Sequence, residues 1–357
     1  MFHLARYSSQ HRHAAQRLTR AAHLIITLGL CLTALITWAR PSLAQDVPLE
    51  VPQMKQAPSD SERTADVGVP HPFFWEVQGP QGARGYLMGT VHVPDERWER
   101  FPKALMNALD QADALYAEID LRDKQALSMH LLAKATLPPG QTLKEIIGAS
   151  LFERMDQYLK RRGQSALYMN NFHPKMAEMT LGLLELMPLL QSGKPALDEW
   201  LLNRANKAGK IVGGVETIDE QLNALMGGTT EEAIDSLRFT ISQLETKEKK
   251  NEKTFEKLIE IYFSGDAARV DAFMKSELEG APEALLKSMD RLLNQRNQVM
   301  AKRIVKLFEE HPKRIQVFAF GVAHFVGEGS VTSLLRAQGY RVSRRFAPTA
   351  SPHVTKE

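Results

Sequence analysis

Two histidines arrive in the same setting at opposite ends of the chain. Gly89-Thr90-Val91-His92 follows the apolar run Gly85-Tyr86-Leu87-Met88, and Gly321-Val322-Ala323-His324 follows Ile315-Gln316-Val317-Phe318-Ala319-Phe320. Imidazole is a common nitrogen ligand for divalent metals and a general base near neutral pH. A glycine three residues earlier permits a tight turn or a close approach of backbone. One Gly-x-x-His is a short pattern that a backbone-satisfied loop histidine also fits. Two copies in matching contexts predict one site assembled from both ends.

Carboxylates recur in a similar position. Glu118 follows Ala114-Leu115-Tyr116-Ala117, and Glu216 follows Ile211-Val212-Gly213-Gly214-Val215. A carboxylate at the end of an apolar strand is costly to bury unless it is paired or holds a metal. Each therefore reads either as a site group, ligand or base, or as half of a structural ion pair. Arg296, in Asn294-Gln295-Arg296-Asn297, can orient a carboxylate with two parallel hydrogen bonds, or can sit on a polar helix surface. Asp198 and Glu199 open a helix and are expected first as caps. His71, His173 and His311 precede prolines and mark turns.

The elements that must position these groups read in order. Phe73–Val77 is a strand and Gly79-Pro80-Gln81-Gly82 a turn, so Gly85–Met88 is the second strand of a hairpin. Pro102 suits the first position of a helix over 103–111. Residues 114–120 form a buried strand, with Tyr116, Glu118 and Asp120 on one face. Residues 122–312 are mostly helical, with Ile211–Glu216 the one strand among them. Thr229-Thr230-Glu231-Glu232 offers a capping box, and Glu245–Lys257 reads as a solvated helix. A strand over 315–320, a helix over 331–338 and a strand over 340–346 close the chain. Both ends thus read strand, Gly-x-x-His, loop, helix, strand. The expected fold is α/β: a central mixed sheet from these two split units, with a large helical insertion between them. Ligands of such sheets lie at the carboxyl ends of the strands, where both histidines fall.

The first 44 residues differ from the rest. They hold Arg6, Arg12, Arg17, Arg20 and Arg40 and no acidic residue, with an apolar stretch from Ala21 to Trp38 and Ser42-Leu43-Ala44 after it. This is the pattern of a secretory signal cleaved after Ala44, or of an uncleaved anchor. Membrane contact is expected only through this segment, and the body is expected in the periplasm or otherwise outside the cytoplasm. Without those five arginines the formal charge of +3 becomes −2, which argues against a nucleic-acid partner. The single cysteine, Cys31, lies in the same stretch. The remainder can form neither disulfide nor thiolate metal site, so any metal must be held by His, Asp or Glu. The proline-bearing run 45–71 reads as a linker, 72–347 as the folded domain and 348–357 as a tail.

Several familiar chemistries are missing. There is no His-Glu-x-x-His helix and no Gly-x-Ser-x-Gly elbow. Gly327-Glu328-Gly329-Ser330 can form an anion-binding nest, but without a lysine it is no P-loop. The methionines at 169, 176, 179 and 187 have core spacing.

Five segments together resemble the TraB/PrgY/GumN family, related to the TIKI proteases. They are Tyr86–His92, Leu115–Glu118, Val215–Leu222, Arg296-Asn297 and Phe320–Gly327. The resemblance spans about Pro72 to Phe346. It implies a fold like that of the erythromycin esterase and ChaN groups, and metal-dependent hydrolysis of a peptide or protein. It assigns a site to His92, His324 and Glu118, and marks Glu216 and Arg296 as further family positions. The resulting expectation is a divalent ion, Mn, Co or Zn, held by His92, His324, Glu118 and Glu216. Glu118 ligates it or activates water, and Arg296 orients a carboxylate or an oxyanion. The competing expectations are a protein that holds haem, metal or peptide in the same cleft without turnover, and an envelope scaffold with a decayed site.

Overall fold

The computed structural model describes residues 69–348, apart from 191, 253 and 279. The expected signal segment, nearly all of the linker and the tail beyond 348 lie outside the described residues. Among the described residues no helix is long and apolar enough to cross a membrane.

The chain begins with a hairpin of β1 (Phe74–Gln78) and β2 (Arg84–Thr90), in register from Phe74 opposite Met88 to Gln78 opposite Arg84. Its turn is tight because Gln81 and Gly82 take φ of 56° and 81°. Helix α1 (Lys103–Gln111) follows, with Pro102 one residue earlier than expected, at the cap. Then comes β3 (Ala114–Ala117). The helical region runs through α2 (Lys124–Ala135), α3 (Leu143–Ile147), α4 (Ala149–Lys160), α5 (Pro174–Leu183), α6 (Met187–Leu190) and α7 (Leu197–Lys207). After β4 (Ile211–Gly214) it resumes with α8 (Ile218–Met226), α9 (Thr230–Lys250), α10 (Thr254–Ser264), α11 (Ala267–Leu278), α12 (Glu283–Asp290) and α13 (Arg296–Glu310). The chain ends in β5 (Gln316–Gly321), α14 (Val331–Ala337) and β6 (Arg341–Arg344). Capping boxes at Thr142/Glu145, Thr217/Glu220 and Thr229/Glu232 start three of the helices, satisfying backbone N–H groups the helix leaves open.

The six strands form one mixed sheet in the order β4-β3-β5-β2-β1-β6. The four strands from β4 to β2 are parallel, and β1 runs against both of its neighbours. The two strand–helix–strand units do not form separate half-sheets. They interleave: β2 and β5 pair directly, so the first unit crosses β5 to reach β3, and the second crosses β2 and β1 to reach β6. Pairing of Gly89 with Phe320 and of Thr90 with Gly321 sets the ends of the two motif strands side by side. The core is apolar on both faces of the sheet. Phe318 stacks on Tyr116 and meets the edge of Phe308 from α13, each at 5.5 Å. Helix α7 packs beneath β3, β4 and β5.

The strand expected over 114–120 ends at Ala117. The Gly321 N–H, at the end of β5, donates to the Glu118 side chain at 2.8 Å, so the regular ladder stops there and the carboxylate takes over. Asp120 turns outward to Arg122.

Candidate active site

His92 lies two residues past β2. Its Nδ1 is 2.9 Å from Asp198 Oδ1, in the first turn of α7. A carboxylate only accepts, so Nδ1 carries a hydrogen and Nε2 is turned inward. His324 closes the turn after β5, with Nδ1 2.6 Å from Asn297 Oδ1 in α13. Both Nε2 atoms face one oxygen, Glu118 Oε1, each at 3.8 Å. The two ring nitrogens are therefore separated by no more than twice that distance. His324 is 3% exposed and Glu118 8%.

The motif glycines explain why the groups can converge. Neither Gly89 nor Gly321 has a positive φ, so the expected tight turn is not their purpose. A Cβ on Gly321 would sit 3.3 Å from both Glu118 Oε1 and His92 Nε2, and one on Gly89 would sit 2.8 Å from Phe73 Cβ. The requirement is close approach. The Tyr262 hydroxyl then holds the Gly89 carbonyl at 2.8 Å.

Glu118 is fully engaged. Its Oε1 accepts from Gly321 N–H, and its Oε2 accepts from Gln221 Nε2 at 2.7 Å and Arg296 Nη2 at 2.6 Å. Glu216, expected as a metal ligand, is instead placed against Arg296, with Nε donating to both of its oxygens and Nη2 to Oε2 at 2.6 Å. Arg296 is 6% exposed rather than on a polar surface, and it is the hinge between the two glutamates. It reaches them from a π-helical turn, Arg291–Gln295, that leads directly into α13. Arg296 and Asn297 are the first two residues of α13, and both are buried.

These contacts set the charge states. Burial works against ionisation of Glu118, but the Arg296 guanidinium and both imidazoles outweigh it and hold the carboxyl well below its usual range. Burial likewise works against a charged His92, yet Asp198 and Glu118 push its pKa up to about 9. His324 has a neutral amide partner, and burial brings it down to about 3. Burial pushes Glu216 up against the pull of Arg296.

A divalent cation fits this arrangement on two counts. One guanidinium against the carboxylates of Glu118, Glu216 and Asp198 leaves a formal charge of minus two when the imidazoles are neutral. Two imidazoles whose outer nitrogens are held by acceptors are also the usual donors of a nitrogen–oxygen metal site. Among the described residues no group of three or more His, Cys, Asp or Glu side chains is arranged to hold a metal ion as it stands. The 3.8 Å separations are slightly wider than the ~3.4 Å between ligands placed about 2.1 Å from a tetrahedral ion.

Three residues of this cluster carried no site role in the sequence. Asp198 was expected as a cap, but Ala196 holds that position and Asp198 is buried against His92. Asn297 and Gln221 lie within segments that resemble the family, which is the only signal that could have found them.

The chain is similar to metalloprotease TIKI2 of Danio rerio, 28% identical over 312 residues that cover 76% of this chain and 60% of that protein. It is similar to metalloprotease TIKI1 of Homo sapiens, 27% identical over 321 residues, covering 78% and 63%. An uncharacterized protein of Treponema pallidum is 26% identical over 274 residues, covering 74% and 80%. The chain thus spans about three fifths of the length of the TIKI relatives. The pattern of the TraB/PrgY/gumN family matches residues 73–344, which include all six strands, both Gly-x-x-His motifs and every residue of the buried cluster; the chain belongs to that family.

Proposed function

We propose that this chain is an exported, metal-dependent hydrolase of peptide bonds. The observation that carries the reading is the convergence of His92 Nε2 and His324 Nε2 on Glu118 Oε1, with both outer ring nitrogens held by acceptors. The names of the TIKI relatives support the reaction class. His92, His324 and Glu118 would hold Mn, Co or Zn. Such an ion supplies a Lewis acid for the scissile carbonyl and lowers the pKa of water. With three hydrogen bonds favouring its ionised form, Glu118 suits a ligand better than a proton acceptor. Arg296 keeps Glu118 in place and Glu216 keeps Arg296 in place, so both are positioning residues in this reading. The substrate is a peptide or protein.

The same saturation of Glu118 favours a second reading, a site that holds metal, haem or peptide without turnover. The deciding experiment is metal analysis of the purified protein with cleavage of a peptide library, wild type against His92→Ala and His324→Ala. Metal and cleavage in the wild type, both lost in the variants, support the hydrolase. Metal bound without cleavage of any peptide overturns it in favour of binding. Export is tested separately: the mature protein should begin at Gln45 by N-terminal sequencing, and an intact Met1 terminus on cytoplasmic material overturns it.

A further inference from the structure

Gln221, in α8, is 2% exposed and donates from Nε2 to Glu118 Oε2 at 2.7 Å. A carboxylate can only accept, so this bond settles which end of the amide is the nitrogen. The carbonyl Oε1 at the other end is buried with no hydrogen-bond partner among the described residues. A buried carbonyl of this kind is costly unless something donates to it. Gln221 also lines a small cavity with His92, Glu118 and Asp198, whose other walls are apolar. The cavity has a volume of about 20 Å³. One water needs ~10–15 Å³ and two to four polar partners.

We propose that this cavity is the seat of a single water and that Gln221 Oε1 is the acceptor that orients it. The water donates one hydrogen to Gln221 Oε1, and the carboxylates in the same wall can accept the other. Its oxygen lone pairs are then left toward the imidazole side. Resting on the hydrolase reading, this water is the one consumed. Its oxygen bonds to the acyl carbon as the carbon–nitrogen bond breaks, one hydrogen passes to the leaving nitrogen, and the other stays with the new carboxyl group. Gln221 is a positioning residue for that step, acting through the water and through Glu118.

The test begins with crystal structures of the full chain and of Gln221→Met, grown with zinc. The wild type should show a water about 2.7–3.2 Å from Gln221 Oε1 that is missing in the variant. A dry cavity in the wild type, an anomalous zinc peak directly on Oε1, or a water that stays put in Gln221→Met each overturns the proposal. In the second arm, Gln221→Met should lose about 10- to 100-fold in kcat. Because Gln221→Met also removes a hydrogen bond from the ligand Glu118, its zinc affinity, by chelator competition, should fall as well, and kcat is therefore read at saturating zinc. A kcat at saturating zinc that is unchanged from wild type overturns the role in the reaction. If the wild type cleaves no peptide, the hydrolase reading fails, while the crystallographic arm still decides the water seat.

Discussion

Asn297 Oδ1 lies 2.6 Å from His324 Nδ1, and Nδ2 of the same amide donates to the Gly329 carbonyl at 3.0 Å. A carbonyl can only accept, so the amide cannot be turned around, and its oxygen must face the ring. His324 is thereby held with the hydrogen on Nδ1 and the lone pair of Nε2 directed at the glutamate. Asp198 does the same for His92 with a charge added. The two imidazoles are alike in sequence context and unlike in electrostatics, because one leans on an amide and the other on a carboxylate.

Asn297→Ala should weaken metal binding by ~10- to 100-fold, since the ring loses its orientation. It should also cost about 1–3 kcal/mol of stability, because the Gly329 carbonyl and the ring N–H lose a buried partner. Asn297→Asp keeps the acceptor for the ring but cannot donate to Gly329, so affinity should largely survive while stability falls. Chelator competition and urea denaturation measure the two effects. Equal metal affinity in wild type and Asn297→Ala would refute the account.

Asp198→Asn separates charge from shape. In metal-free protein His92 should titrate at about 9, because Asp198 and Glu118 outweigh the burial that works against its charge. Removing the Asp198 charge should bring that value down. Imidazole resonances followed by NMR from pH 5 to 10, in chelator, read the shift directly. A His92 titration that does not move in Asp198→Asn would show that the 2.9 Å contact is not what raises it.

Arg296→Met leaves two buried carboxylates facing each other without a cation. The expected loss is roughly 3–5 kcal/mol. The double variant Arg296→Met/Glu216→Gln removes one of the stranded charges and should recover part of that loss. Unfolding midpoints for the single and double variants decide it. A double variant no more stable than Arg296→Met would mean that charge repulsion is not the cause.

Glu277, in α11, lies outside the site. Burial pushes its pKa up to about 7 against the pull of Lys247 and Lys257. Its Oε2 has no hydrogen-bond partner among the described residues. The folded state therefore keeps a proton that the unfolded chain releases near pH 4.5, and stability falls as pH rises from there to about 7. Glu277→Gln should match wild type near pH 4 and exceed it at pH 8 by on the order of 1–3 kcal/mol. Denaturation midpoints at the two pH values show whether the difference opens in that direction.

Local pattern alone determined a good deal of this protein. Alternating apolar runs broken by Gly79–Gly82 specify the hairpin, and apolar strands ending in Gly-x-x-His specify where two histidines leave the sheet. The α/β class and the family follow from the order of those segments, because strand and helix periodicities are read within a dozen residues. Tertiary structure decided everything that depends on distance along the chain. The interleaving of β2 with β5 and of β3 beyond it comes from long-range pairing, which no local period encodes. Glu118 and Glu216 each read as site group or ion pair, and only the fold shows both on Arg296, 178 and 80 residues away. Asp198 looked like a cap because short-range hydrogen bonding is what sequence reveals. Its partner, His92, is 106 residues distant. A residue type states which bonds it can make, and the packed core, by excluding water, decides which of them it must make.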